Sequence, residues 1–253
     1  MLFDNIIFGP IQSRRLGVSL GVNLLLPTAK LCNFDCIYCE CGWNYENKGG
    51  AFNSKEDTLH TLEAKLQEMS QEGVLPDYIT FAGNGEPTMH PEFKEIIEGV
   101  VQLRESYAPR AKVAVLSNAT MIHNQSVREA LGMIDRAILK LDSALDETYK
   151  LMNKPNSSRS VAQIVELLRV FNGGFVMQTM FLRGNYQGVH IDNTTEGEVT
   201  AWLEVVAELR PREVMLYSID RPTPHNDLQK VEKSELERIA LRVRALGIEA
   251  IVS

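Results

Sequence analysis

VSLGVNLLLPTAKLCNFDCIYCEC, residues 18–41, sets the organisation of the chain. Residues 18–26 mix β-branched residues and leucine ahead of Pro27 and read as a strand. The loop after that strand carries all four cysteines, Cys32, Cys36, Cys39 and Cys41. Outward from there, one rhythm repeats. Ser54, with Asp57 three residues on, opens a helix whose Leu59, Leu62, Leu66 and Met69 recur at helical spacing. Strands are predicted over residues 78–81, 113–116, 137–141, 175–182, 214–219 and 248–252. Further helices are predicted near 91–100, 126–134, 161–171, 199–209 and 232–246.

Seven strands interleaved with six helices imply parallel pairing through right-handed crossovers. The alternation fits an incomplete (βα)6 TIM-like barrel of parallel strands with an additional C-terminal strand. It also fits an open doubly wound sheet, and in both the ligands sit at the C-terminal ends of the strands. The barrel, as a single domain over residues 1–253, is the fold expected. Residues 1–17 would be an N-terminal capping segment, 18–222 the core, and 223–253 a closing helix and strand.

The chain has 253 residues, 44% hydrophobic and 23% charged, enough apolar content for a large core and too much for disorder. Its 26 basic and 33 acidic residues leave a net charge of −7. That balance weighs against a broad nucleic-acid face, without excluding a local patch. The N-terminus lacks a basic region ahead of its apolar residues, and no apolar run approaches a membrane span. A cytoplasmic protein without membrane attachment is expected.

Four cysteines within ten residues of a long chain are not a disulfide scaffold. Cytosolic clusters of this kind usually hold metal. Zinc favours two pairs or added histidines in a tetrahedral set. Here Cys32, Cys36 and Cys39 are spaced C-x3-C-x2-C, with Tyr38 before the third. Three thiolates can bind three irons of a [4Fe–4S] cluster and leave the fourth iron open. Cys41 is a possible fourth ligand, a hydrogen-atom donor or a thiol that is merely nearby.

CNFDCIYC, with its aromatic beside the last cysteine, resembles the signature of the radical S-adenosylmethionine (SAM) superfamily. The resemblance implies a [4Fe–4S] cluster on Cys32, Cys36 and Cys39, with SAM on the open iron. It also implies an electron donor such as flavodoxin or ferredoxin, and scission of SAM to methionine and a 5′-deoxyadenosyl radical. The runs SRRLGVSLGVN and YSIDRP further resemble, in patches from Gly9 to Pro222, the branch of tRNA wyosine-forming enzymes. Those enzymes use a second cluster, for which this chain has no spare cysteines.

Strand ends supply the remaining candidates. Gly83-Asn84-Gly85-Glu86 is a tight turn calling for positive φ, which Asn84 also tolerates. It is similar to the glycine-rich motif that binds the methionine amine of SAM in the family, with Glu86 either a ligand to that amine or a brace for the loop. Ser117 and Asn118 are small polar residues at a strand mouth, suited to a ribose, a carboxylate or a helix cap. The period of two puts Lys140 and Asp142 on one side of their strand, where a buried pair is costly unless it binds something. Gln178 is expected to face the ligand. Tyr38 and, by resemblance, Ile219 would lie against SAM, Ile219 at its adenine. Arg14, Arg15, Arg183, Arg221 and His225 are possible substrate contacts. The segment at Arg14–Arg15, or the loop over residues 186–193, would close the pocket.

The reaction expected is hydrogen abstraction from a small-molecule or nucleoside-like substrate, anionic in part. Two alternatives stand beside it. One is an activating enzyme that makes a glycyl radical on a protein partner. The other is an RNA-modifying radical SAM enzyme.

Overall fold

The computed structural model describes residues 2–13, 17–28, 30–44 and 52–253. Arg14 and Arg15 lie outside these. The chain divides into two compact units that interleave in sequence. The first comprises residues 1–32, 44–117 and 121–137, the second residues 33–43, 118–120 and 138–253.

In the first unit, β1 (Ile7–Ser13) pairs antiparallel with β2 (Gly17–Val22), followed in order by β3 (Tyr78–Phe81) and β4 (Lys112–Ser117). The pairs β2/β3 and β3/β4 are parallel. Helices α1 (Lys55–Glu72), α2 (Phe93–Tyr107) and α3 (Gln125–Gly132) connect them. Helix α1 starts where predicted: Ser54 Oγ accepts from the Asp57 amide at 3.0 Å, and Gly73 closes the helix at φ 73°. Its Leu62, Leu66 and Met69 are buried, as the spacing requires. Residues 7–13 form a strand where the patterning predicts only a cap. Their Gly-Pro pair and polar residues obscure the alternation, and an edge strand tolerates both.

In the second unit the order is β5 (Arg136–Lys140), β6 (Val176–Met180), β9 (Glu213–Tyr217) and β11 (Glu249–Val252). The pairings within this order are all parallel. Helices α4 (Asp146–Asn153), α5 (Val161–Arg169), α6 (Glu196–Leu209) and α7 (Lys233–Ala245) belong to it. A separate antiparallel sheet, in order β10-β7-β8, joins β7 (Leu182–Tyr186), β8 (Val189–Asp192) and β10 (Leu228–Lys230). The loop proposed above as a lid is thus a β7–β8 hairpin. Each of the seven predicted strands is present with parallel pairing. Helix α4 and the three-stranded sheet are additional. Among the described residues, no helix is long and apolar enough to cross a membrane.

Candidate active site

Within the first unit, the backbone before Cys32 is strapped to the glycine turn. The Leu31 amide donates to the Asn84 carbonyl at 2.9 Å, and the Glu86 amide donates to the Leu31 carbonyl at 3.0 Å. A Cβ at Gly85, whose φ is 147°, would stand 1.8 Å from that Leu31 oxygen. At Gly83, with φ 146°, it would stand 2.3 Å from Asn23 Oδ1. Both glycines are therefore required by the packing of this chain before any ligand is considered.

Asn84 is fully buried and committed to its own chain. Its Oδ1 accepts from the Phe3 amide at 2.7 Å, and its Nδ2 donates to the carbonyls of Phe3 (2.8 Å) and Leu26 (3.2 Å). The positive φ of the turn is carried by Gly83 and Gly85, while Asn84 stays outside that region. Glu86 braces the turn. Its Oε1 accepts from the Thr88 amide at 3.1 Å, from the Thr88 hydroxyl and from Ser117 Oγ at 2.8 Å. Two residues at neighbouring strand ends, Glu86 and Ser117, are thereby brought together. Cys32 follows directly, its amide donating to Asn44 Oδ1 at 3.1 Å.

Within the second unit, the cysteine loop is held by the end of α4. The Asp35 amide donates to the Asn153 carbonyl at 3.0 Å and the Ile37 amide to the Met152 carbonyl at 3.0 Å. The Asn156 amide returns a bond to the Asn33 carbonyl at 3.0 Å. The Asn33 side chain accepts from Asn118 Nδ2 at 2.6 Å, and Asn118 Oδ1 in turn caps Thr120. Asn118 therefore supports the loop. Cys36 is buried, Cys39 and Cys41 are half-buried, and the Cys39 amide donates to the Cys36 carbonyl at 3.1 Å.

Beneath Cys36 lies a buried ionic cluster. Asp142 accepts at Oδ1 from the Met180 amide (2.9 Å), and at Oδ2 from Asn153 Nδ2 (2.7 Å) and the Tyr38 phenol. Lys140 Nζ stands 3.6 Å from the same carboxylate and donates to the hydroxyls of Tyr38 (2.9 Å) and Tyr217 (3.3 Å). Lys140 and Asp142 thus share a side, as the strand period requires, and they are buried together. Burial opposes the charge on Lys140, but Asp142, then Tyr217 and Cys36, outweigh it and raise its pKa. The lysine stays an ammonium. Burial first, then Asp142 and Cys36, push the Tyr38 phenol well above its ordinary range, so Tyr38 stays neutral.

The residues test the cofactors on their own terms. None of the four cysteines is in a disulfide. Asn153 Nδ2 lies 3.5 Å from Cys36 Sγ, the kind of donor that a thiolate ligand uses. Among the described residues of the second unit, five buried polar atoms have no hydrogen-bond partner: Tyr149 Oη, Asn153 Oδ1, Ser157 Oγ, Arg183 Nε and Trp202 Nε1. Of these, Asn153 Oδ1 belongs to the residue that contacts Cys36. Gln178, on β6 where it pairs with β5, is 6% exposed. Among the described residues no three Cys, His, Asp or Glu side chains are grouped to hold a metal ion. The cluster assignment therefore rests on the cysteine spacing and the Asn153 donor beside Cys36, while Asn153 Oδ1 is an acceptor open to a polar ligand. Ile219 is half-buried beyond the end of β9.

Several residues here are not anticipated by the sequence reading. Asn153, Tyr217 and Asn193, which donates to the carbonyls of Asp142 and Met180, organise the buried cluster. Asn153 precedes Lys-Pro, a helix-stop signal that would have exposed α4. Arg183 and Arg221, named as possible substrate contacts, are each paired with carboxylates. Arg183 pairs with Glu235 at 2.6 Å and Asp192 at 3.3 Å, and Arg221 with Glu40 at 2.8 Å. His225 Nε2 meets the Asn185 carbonyl at 2.7 Å.

Comparison with known proteins places these features. A family model described as the radical SAM superfamily matches residues 26–188. A UPF0026 protein from Synechocystis, slr1464, is 31% identical over 223 residues, covering 86% of this chain and 77% of that one. The UPF0026 protein MJ1312 of Methanocaldococcus jannaschii is 30% identical, covering 86% of this chain and 64% of its own length. A Brachyspira hyodysenteriae protein named GTPase Obg is 28% identical over 92% of this chain, which spans only 32% of that protein. Among solved structures, a radical SAM methyltransferase from Sphaerobacter thermophilus superposes with a TM-score of 0.69 at 16% identity, over 93% of this chain and 65% of its own. Archaeal TYW1 gives 0.55 at 13% identity, covering 90% of this chain and 71% of its own. At these identities the structural likenesses speak for the fold, and they bear out the parallel α/β architecture of the partial-barrel type.

Proposed function

The chain belongs to the radical SAM superfamily, whose cofactors are a [4Fe–4S] cluster and SAM, and we propose that it abstracts hydrogen from a small, nucleoside-like substrate by reductive cleavage of SAM. When bound, the cluster supplies the single electron for scission of the sulfonium bond. Cys32, Cys36 and Cys39 hold it, and Cys41 is left out. An electron donor such as flavodoxin or ferredoxin is the expected protein partner.

The observation that carries this reading is Asn153, buried against Cys36 in the second unit, with Nδ2 3.5 Å from Sγ and Oδ1 without a partner. Asn153 orients the Cys36 sulfur and donates toward it, which favours the reduced state of a cluster. Lys140 holds its proton and Tyr38 its neutral phenol, so neither serves as a base. Asp142, saturated by Met180, Asn153 and Tyr38, positions them and has little left for a ligand. Gln178 offers both a donor and an acceptor to the polar parts of SAM. In the first unit, Glu86 and Ser117 keep the glycine turn rigid, so that its backbone groups serve the methionine end of SAM.

The test is anaerobic incubation of reconstituted protein with SAM, a strong reductant and fractionated cell metabolites, small RNA or candidate glycyl-radical proteins. Stimulation of 5′-deoxyadenosine by the metabolite fraction, with deuterium passing from labelled substrate into it, is expected. Stimulation only by a polypeptide that acquires a glycyl radical would assign an activating enzyme instead.

A further inference from the structure

Of the cations named from the sequence, three in the second unit are paired with carboxylates: Arg183 with Glu235 and Asp192, Arg221 with Glu40, and Lys140 with Asp142. Lys154 is placed differently. It caps α4 with φ 43°, a left-handed position that helices usually give to Gly or Asn. Lysine there carries a steric cost, and its half-buried ammonium is held by two rings. Nζ lies 4.7 Å from the Trp43 ring centre and 5.3 Å from that of Tyr186, and it donates to the Tyr186 hydroxyl at 2.8 Å. Tyr186 is itself buried and wedged edge-on against His225, with ring centres 5.0 Å apart.

Among the described residues no carboxylate lies within ion-pair distance of Lys154, and Tyr186 is the sole hydrogen-bond partner of its ammonium. Aromatic faces orient a cation without cancelling its charge. Among the described residues, Tyr186 is the one acceptor for the three ammonium protons. The preceding residue, Asn153, is the one whose Nδ2 lies 3.5 Å from Cys36 Sγ. A charge fixed by rings, unneutralised, and one residue along from the contact to a cluster cysteine is suited to a ligand anion. It is a compact point charge, which matches one oxygen of a phosphate or carboxylate rather than a bidentate fork.

We propose that Lys154, braced by Trp43 and Tyr186, is the anion-recognition point of the substrate site and takes the phosphate or carboxylate of a small organic substrate. This rests on the enzymatic reading above. It names the charged part of the substrate.

The test is calorimetric titration of SAM-saturated holoprotein at fixed ionic strength, with inorganic phosphate in one arm and acetate in the other. Saturable binding is expected in at least one arm, and the preferred arm tells phosphate from carboxylate. Lys154→Gln should weaken it at least tenfold, whereas Lys154→Arg, which keeps the charge, should stay within about threefold. Tyr186→Phe keeps the ring and should lose less than Lys154→Gln. Unchanged affinity in Lys154→Gln, equal loss in both Lys154 variants, or no binding of either anion to the SAM-saturated wild type would overturn the proposal. The last outcome includes the case in which SAM itself occupies Lys154. Cleavage of SAM by the wild type, assayed alongside without substrate, judges the enzymatic reading separately, while the anion titration alone judges this one.

Discussion

The glycine turn of the first unit and the ionic cluster of the second are both built from strand-end residues, yet they differ in what they leave over. Around Asn84 and Glu86, side chains spend their polar groups on Phe3, Leu26, Thr88 and Ser117. Around Asp142, charge is concentrated and satisfaction is incomplete, with Asn153 Oδ1 unmatched. The first region is scaffold, its polar side chains spent within the chain. The second leaves an acceptor, Asn153 Oδ1, unspent. Two regions that look alike as motif candidates are separated by their hydrogen-bond accounts.

The largest effect should come from Cys36→Ala. Iron and sulfide per reconstituted chain should fall from about four each to near zero, while Cys41→Ala keeps nearly the full complement. Cluster loss in Cys41→Ala would instead make Cys41 a ligand. Next is Gly85→Ala in the scaffold. A methyl group 1.8 Å from the Leu31 oxygen, at φ 147°, should lower stability by about 3 kcal/mol or more, read as a fall in melting temperature. A thermally normal Gly85→Ala would show that the strap at Leu31 yields easily, and the contrast with the second unit would weaken.

Two milder variants sharpen the comparison. Asn84→Ala removes three hydrogen bonds from a buried site and should cost about 2–4 kcal/mol of stability. Gln178→Leu leaves those bonds in place, so stability should move by less than about 1 kcal/mol while SAM binds about tenfold more weakly. The opposite pattern, an unstable Gln178→Leu with unchanged SAM affinity, would place Gln178 in the scaffold. The smallest effect is expected of Asn153→Leu on the cluster's reduction potential. Losing a donor to the Cys36 sulfur should lower it by some tens of millivolts, measured by a dye-mediated titration. An unchanged potential would mean that this contact orients the cysteine without tuning it.

The parallel strands were legible because buried strands of an α/β fold are short, β-branched, apolar runs. Residues 78–81 match β3 to the residue, and 113–116 miss β4 by one at each end. Helix α4, with the sequence DETYKLMN, escaped because it is only two turns long and its buried side offers just Tyr149, Met152 and Asn153. The small sheet escaped because its strands are three to five residues of mixed polarity, set by pairing rather than by periodicity.

At the site, the cysteine loop, the glycine turn and the Lys140–Asp142 alternation were readable from spacing. What the side chains do there was not, because it depends on partners far along the chain. Tyr38 meets Asp142 across 104 positions, and Asn153 meets Cys36 across 117. The roles of Asn84 and Glu86 as braces, and the engagement of Arg183 and Arg221 by carboxylates, are of the same origin.

The central claim is that this chain cleaves SAM through a cluster on three cysteines. The most direct measurement is 5′-deoxyadenosine released when anaerobically reconstituted wild-type protein, with about four irons per chain, is incubated with SAM and dithionite. The account predicts 5′-deoxyadenosine and methionine in equal amounts, and neither from Cys36→Ala. Intact SAM under every reducing condition, in protein carrying its full cluster, would contradict it.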